Sequence, residues 1–163
     1  MVALAHVDLT LSDLRDPGGS PLPGAFVGPL ELWSHPVGVA SEPCVLIDAA
    51  GVVVSASPGC GHLLGIDARS AVGRKLVDGV LHLLDFGAIP TDLPSWEAEK
   101  IPPCQAASTG GLSRGLLRFR GRGGLPCTVD AISVPLRDSG PFGPEASRSA
   151  VVGSLTFFAL VAH

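Results

Sequence analysis

The chain has 163 residues, of which 46% are hydrophobic and 16% are charged, and its formal net charge is −4. This length suits one domain with a sizeable apolar core, and the high apolar content with a small net charge excludes an intrinsically disordered chain. The acidic balance argues against a basic nucleic-acid binder. With 21 Gly and 15 Pro the chain is rich in loops, which argues against a long helical bundle.

Residues 1–40 are predicted to form an irregular N-terminal extension that packs on the domain. Closely spaced Pro and Gly residues within 17–24 break any helix there. Phe26, Leu30 and Trp33 make the extension too apolar for a free tail. We therefore expect it to cover part of the domain surface.

Residues 44–73 predict a β-hairpin followed by two short helices. An Ala-Ala-Gly turn separates two apolar runs rich in β-branched residues, which is typical of a hairpin. Ser57 before Pro58 is typical of a helix start, Gly65 of a helix end, and Asp67 of a second helix cap. The four elements in chain order are Cys44–Asp48, Val52–Val54, Pro58–Gly65 and Ala68–Val72.

A longer helix is predicted over Leu76–Phe86, because apolar residues recur there at helical spacing. The stretch Gly87–Pro103 is interrupted by prolines and is predicted to be a loop. The two prolines at its end favour the start of one more helical stretch, Cys104–Ser108.

The C-terminal third predicts three β-strands. The first alternates between arginine and apolar residues, and the last is apolar on both faces. Helices that lie between a hairpin and a three-stranded meander indicate an α+β fold, a five-stranded antiparallel sheet with short helices on one face. We place this domain at residues 41–163. The three strands are Ser113–Arg122, Pro126–Leu136 and Ala150–Ala162.

The four cysteines predict free thiols and no metal site. They are separated by 16, 44 and 23 residues, which fits no zinc-ligand spacing. Free and mostly buried thiols suit a reducing cytoplasm, which is the predicted location. The longest apolar run, Ala150–Ala162, has 13 residues, whereas a membrane span needs about 20. We therefore expect no membrane partner.

The segment Val53–Leu76 resembles the core of the PAS family. It shows a strand, then Ser57-Pro58 where the family usually has Asn-Pro, a short helix ending in Leu64-Gly65, and finally Gly73-Arg74-Lys75-Leu76 in place of the family's Gly-Arg-x-Leu. A further stretch, Ser133–Asp138, resembles the family's small-x-Pro-Leu-x-Asp ending. The resemblance covers about residues 41–163 and depends on the order of these short motifs.

The resemblance implies a sensory or regulatory module that binds a small molecule or a protein partner and relays a signal. In PAS domains the sheet and the helices enclose a ligand pocket. Because Tyr is absent and only two Trp occur, we expect an aliphatic pocket for a neutral, apolar ligand. Small residues along Cys127–Ser133 leave room for a ligand or equally allow close helix packing. The predicted lining residues are Leu64, Leu76, Leu83, Leu117, Phe119 and Phe157.

No cofactor is firmly predicted. The reactive cysteine of light-sensing PAS relatives corresponds here to Leu76, so a flavin adduct has no thiol to form on. Haem-binding relatives use a histidine on the central helix, and the matching stretch near Cys104–Ser108 has none. His82 is the candidate haem ligand, although a packed or surface histidine is the more common role for such a residue.

The sequence favours a non-enzymatic role. Cys60 and His62 are two residues apart on a predicted helix, so they do not face each other as a catalytic dyad. The row Arg118, Arg120 and Arg122 shares one strand face by period-two alternation. A solvated edge protected against aggregation is the favoured interpretation of this row, and contact with an acidic partner is the alternative.

Two functional hypotheses lead, and a haem-binding redox or gas sensor is the third alternative. The first is a ligand-binding sensory module in transcriptional or two-component regulation, with a kinase, phosphatase or transcription regulator as its output partner. The second is a ligand-free dimerisation or protein-interaction module. The apolar faces of Ala150–Ala162 support the second, because the outer face must be covered by the N-terminal extension or by a second subunit. A homodimer is expected in both cases, and direct nucleic-acid binding is disfavoured.

Overall fold

Five antiparallel strands form a single sheet in the order β2-β1-β5-β4-β3. The structure, a computed structural model, describes residues 27–84, 95–138 and 149–161. The sheet confirms the predicted α+β fold. Within the described ranges, no helix has the length and apolarity needed to cross a bilayer. The strands are β1 (Cys44–Asp48), β2 (Val53–Ala56), β3 (Ser113–Arg120), β4 (Pro126–Arg137) and β5 (Val151–Leu160).

The helices of the described residues are short, and local chemistry sets the ends of several. The Ser57 hydroxyl accepts a hydrogen bond of 3.2 Å from the backbone N–H of Cys60, and Gly65 ends that helix at φ +67°. The Asp67 carboxylate accepts a hydrogen bond of 3.1 Å from the backbone N–H of Arg69. These three caps are the predicted ones. The helices are α1 (Pro29–Val39), α2 (Pro58–Leu64), α3 (Ala68–Ala71), α4 (Ser95–Ala98) and α5 (Pro102–Thr109).

The inner face of the sheet carries the main apolar core. Alternate residues of β1, β3, β4 and β5 point to this face, and the register shift between β1 and β2 places Val53 and Ala56 there too. Helices α2, α3 and α5 and the turns of 76–81 cover them. Phe119 is the largest side chain with less than 2% exposure. Full burial of an aliphatic or aromatic side chain contributes about 1.5–3 kcal/mol, so this cluster is the main source of stability. Its strand members include Val45, Ile47, Val53, Leu117, Phe119, Val129, Ala131 and Phe158.

A polar stripe on the same inner face lies beside α5. The Ser154 hydroxyl donates a hydrogen bond of 2.7 Å to the carbonyl of Pro103 at the start of α5. The hydroxyls of Ser133 and Thr156 share a hydrogen bond of 2.7 Å, and both residues are completely buried. Burial of an unpaired hydroxyl is costly, so these bonds favour one position of α5 on the sheet.

Helix α1 covers part of the opposite, outer face of the sheet, mainly over β1 and β2. Its buried residue Val37 packs with outward-facing side chains of β1 and β5. The Ser55 hydroxyl of β2 donates a hydrogen bond of 2.8 Å to the carbonyl of Ser34 in α1. Residues 29–39 are therefore helical where irregular chain was expected, because apolar contact with the sheet offsets the cost of Pro36 within the helix. Residues 1–26 lie outside the described part, and the boundary at residue 40 stays a prediction.

The helix predicted over Leu76–Phe86 is wrong for its described part. Residues 76–81 form turns, and Gly79 adopts φ +80°, which an α-helix does not allow. The following residues run along the edge of β3, where the N–H of Leu84 donates a hydrogen bond of 2.8 Å to the carbonyl of Arg118. The apolar residues thus reach the core from successive turns, a pattern that helical spacing alone does not distinguish.

Smaller differences lie at the ends of elements. β3 stops at Arg120, so Arg122 lies in a 3-10 turn and leaves the predicted arginine row. β2 begins one residue later than predicted, and Val52 pairs instead with Lys75 as an isolated bridge. α4 occupies part of the predicted loop. The short pairings at Lys75 and beside β3 protect both edges of the sheet.

Candidate functional site

Five of the six predicted lining residues lie on the inner side of the sheet. Leu64, Leu76, Leu117 and Phe119 are buried in the main core cluster, and Leu83 is partly buried against it. Leu76 is 0% exposed. These side chains fill the space between the sheet and the helices with one another, so their described arrangement is that of a packed core.

Phe157 lies apart from the other five, on the outer face of the sheet. It is 44% exposed, whereas its neighbour Phe158 is 4% exposed and belongs to the inner core. Because side chains alternate along a strand, only one of two consecutive phenylalanines points inward. In an apolar strand without polar alternation, the sequence did not indicate which one.

The residues considered for cofactor chemistry lie in separate places. His82 is exposed, and its carbonyl accepts a hydrogen bond of 2.8 Å from the N–H of Arg120 at the edge of β3. Leu76, at the position of the flavin-reactive cysteine of light-sensing relatives, is inside the core. Within the described ranges, no three His, Cys, Asp or Glu residues are grouped so that they could hold a metal ion.

All four cysteines are free, and the buried ones are poorly suited to nucleophilic chemistry. Burial raises the pKa of Cys60 to about 12, so its thiol stays protonated at neutral pH. Its thiol donates a hydrogen bond of 3.0 Å to the carbonyl of Cys44. His62, two residues later on α2, is exposed. The pair therefore does not face each other, as the sequence predicted.

The outer face beyond α1 exposes a group of apolar side chains, here called the outer patch. Its members are 37–66% exposed and come from the three adjacent strands β3, β4 and β5. Ile132 of β4 lies directly opposite Phe157 of β5 in the strand register. An open groove of about 210 Å³ runs beside Phe157, bordered by Pro43 and Asp130. The outer patch consists of Leu116, Ile132, Val134 and Phe157.

Charged side chains lie beside members of the outer patch, because Arg114 is opposite Ile132 and Asp130 is opposite Leu116 in the β3–β4 register. The Arg114 guanidinium donates to the Asp130 carboxylate, with Nε 3.0 Å from both carboxylate oxygens. These hydrogen bonds lower the pKa of Asp130. Arg118 and Arg120 also lie on this exposed side of β3, which confirms that these two arginines share a face. Sequence reasoning missed the pairing of Arg114 with Asp130, which depends on the β3–β4 register.

A second opening, here called the turn cleft, lies at the β1–β2 turn. Its volume is about 270 Å³, and it is bordered by the turn, by residues 75–78 and by α4 and α5. Lys75, Asp78 and Glu99 bring charges of both signs to its lining, and Cys104 contributes a partly buried thiol. No sequence pattern indicated this site, because its residues are brought together by the packing of α5 beside the hairpin.

Solved PAS and light-oxygen-voltage domains are similar to this architecture. The crystal structure of a PAS domain from Colwellia psychrerythraea has a TM-score of 0.52 and 18% identity, with 78% of this chain and 92% of that chain covered. A light-oxygen-voltage domain studied with a flavin analogue has a TM-score of 0.51 and 20% identity, with 75% and 78% covered.

The VqmA dimer of Vibrio cholerae, solved in the absence of target DNA and related to LuxR-type receptors, has a TM-score of 0.53 and 18% identity. The match covers 74% of this chain but 46% of VqmA, so the chain spans about half of that protein's length. A further VqmA structure is bound to DPO. No protein-family model matches the sequence, and no curated protein matches it either. The likeness to these solved structures, together with the strand order and the capped short helices, shows that the chain has the PAS fold.

Proposed function

We propose that this chain is a regulatory PAS module that relays a signal by self-association through the outer patch. The observation that carries the proposal is the grouping of four exposed apolar side chains on three adjacent strands, next to the part of the face that α1 covers. Grouped exposed apolar side chains are costly in water and are typical of a binding surface. VqmA, which has a similar fold, forms a dimer.

A second copy of the chain suits the outer patch in both polarity and charge. In a twofold dimer the same surface meets itself, so a patch that combines apolar side chains with charges of both signs can complement itself. Ile132 and Phe157 supply apolar side chains, and Arg114 and Asp130 supply the opposite charges. Burial of the apolar side chains would provide the binding free energy, and the charges would favour one orientation.

The predicted apolar ligand remains a less favoured proposal. It would have to separate side chains such as Leu76 and Phe119, which are at most 1% exposed within the core. Opening a packed core costs the contacts that stabilise it. An interaction module needs no such opening, so the geometry favours a protein-interaction role over a ligand held inside the core.

We further propose a non-enzymatic role in a reducing cytoplasm, with an output partner in transcriptional or two-component regulation. The protonated, buried thiol of Cys60 supports the non-enzymatic role, and the four free cysteines support the reducing compartment. The regulatory setting is supported by analogy with VqmA, which is described as a LuxR-type receptor.

Sedimentation velocity of the full chain tests the self-association directly. We expect a dimer between about 1 and 100 µM, and at least a tenfold weaker dimer for Phe157→Gln, because an apolar contact of the outer patch is lost. Leu125→Gln is the matched control, since Leu125 is 70% exposed in the turn between β3 and β4. A monomeric wild type, or a dimer unchanged by Phe157→Gln, would contradict the proposal.

A further inference from the structure

The turn cleft has the dimensions of a site for a small metabolite. Its volume of about 270 Å³ is just below the usual range of pockets for drug-sized ligands, about 300–1,000 Å³. Four alanines and one glycine form much of its wall, so a ligand can approach the backbone of the turn and of α5 closely. These small residues are Ala49, Ala50, Gly51, Ala98 and Ala107.

Three charged side chains of the cleft have no ion pair or hydrogen bond within the described part of the chain. They are Lys75, from the pairing segment beside β2, Asp78, three residues later, and Glu99, which follows α4. The carboxylate of Glu99 lies near enough to Cys104 to raise the pKa of that thiol. The cleft therefore offers one ammonium group and two carboxylates to a ligand.

The thiol of Cys104 makes the interior of the cleft apolar and unreactive. Burial, followed by the nearby Glu99 charge, raises its pKa to about 11. At neutral pH the sulfur is consequently a neutral thiol, which packs as a small apolar group and is a poor nucleophile. Together with Ala107 it forms a surface suited to a short apolar side chain.

We propose that the turn cleft binds a small zwitterion of the α-amino-acid class. The ligand carboxylate pairs with Lys75, its ammonium group lies towards Asp78 and Glu99, and its side chain rests on Cys104 and Ala107. A zwitterion can pair with the ammonium group and with the carboxylates of the cleft at the same time, whereas a molecule with a single charge can pair with only one kind of group. Recognition of both charges at once therefore favours the zwitterion.

Such a ligand would connect the β1–β2 hairpin with α5. Helix α5 is hydrogen-bonded to the sheet through Ser154 and Pro103, and the sheet carries the outer patch on its other face. An occupied cleft would restrain the hairpin and α5 relative to each other, which provides an input for the module. This input role rests on the proposed function, whereas the binding itself does not.

The experiment uses the full chain and the twenty standard L-amino acids, each at 10 mM, in a thermal-shift assay followed by calorimetric titration. For a dissociation constant near 0.1 mM, we expect Tm to rise by about 5–10 °C. The amine and the carboxylic acid that correspond to the best amino acid should each bind at least tenfold more weakly.

Two lysine variants identify the site. Lys75→Ala should weaken binding of that amino acid at least tenfold, and Lys100→Ala should leave it unchanged, because Lys100 lies over the Trp96 ring, 4.7 Å from its centroid, and does not line the cleft. Absence of binding by all twenty, equal binding of the amine alone, or an unchanged affinity in Lys75→Ala would overturn the proposal. Sedimentation of the same samples reports separately on self-association.

Discussion

Replacement of Thr156 by valine should lower the stability of the fold, because it leaves the buried Ser133 hydroxyl without its hydrogen-bond partner. Thr156 and Ser133 are completely buried, and their hydroxyls are 2.7 Å apart. Valine keeps the shape of threonine but cannot hydrogen-bond, so the Ser133 hydroxyl would lose this buried partner. The expected loss is about 1–3 kcal/mol, the usual cost of an unsatisfied buried hydroxyl. Ser133→Ala should cost a similar amount for the reciprocal reason.

The double variant Ser133→Ala/Thr156→Val distinguishes this mechanism from simple loss of packing. With both hydroxyls removed, neither is left unpaired, so the double variant should be more stable than the less stable single variant. Urea unfolding followed by circular dichroism measures all four proteins. With a slope of about 1–3 kcal/mol per M, each single variant should lower the midpoint by roughly 0.5–2 M. Additive losses in the double variant would show that the two hydroxyls act independently, contrary to the structure.

Three further predictions concern the backbone, a buried thiol and an ion pair. Gly153→Ala should lose about 1–3 kcal/mol in urea unfolding, because a β-carbon at 153 would collide with the carbonyl of Ile47 on the paired strand. The pKa of Cys60 is about 12 in the fold, against 9.0 for an ordinary thiol. Between about pH 9 and 12 the unfolded chain therefore loses this proton while the fold keeps it, so the stability falls as the pH rises. Cys60→Ala should make that fall less steep. Arg114→Ala should raise the pKa of Asp130 in a carboxyl NMR titration.

Each of these has a contrary result. A β-carbon at Gly111 would meet only one atom, at an ordinary contact distance of 3.6 Å. Gly111→Ala should therefore lose far less stability than Gly153→Ala. Equal losses in the two variants would contradict the close approach of the strands at Gly153. An alkaline stability profile of the same slope with and without Cys60 would show that its thiol is not held protonated by the fold. An unchanged titration of Asp130 would show that Arg114 does not pair with it in solution.

Much of the fold could be predicted because its signals are local. Ser57, Gly65 and Asp67 act within three residues of their own positions, and the structure shows the caps that their side chains and backbone conformations favour. The C-terminal strands were also predictable, since β4 and β5 are long runs of strand-forming residues between Gly- and Pro-rich breaks. From these elements and their order, the five-stranded sheet followed.

The remaining features depend on contacts between distant segments. The apolar spacing after Leu76 is the same for a helix and for turns that reach one core, and Gly79 is the local reason why turns are present. α1 is stabilised by the sheet that it covers, which the sequence of residues 29–39 does not reveal by itself. The inward position of Phe158, rather than Phe157, follows from strand register.

The role of the outer patch can be measured at a single methyl group. Ile132 belongs to the outer patch, whereas Ile47 and Ile101 are 0% exposed in the core. In a chain labelled with ¹³C at isoleucine methyl groups, dilution from about 500 to 5 µM should shift or broaden the Ile132 signal and leave the Ile47 and Ile101 signals unchanged. An Ile132 signal that is equally constant over this range would show that the patch does not bind a second copy of the chain.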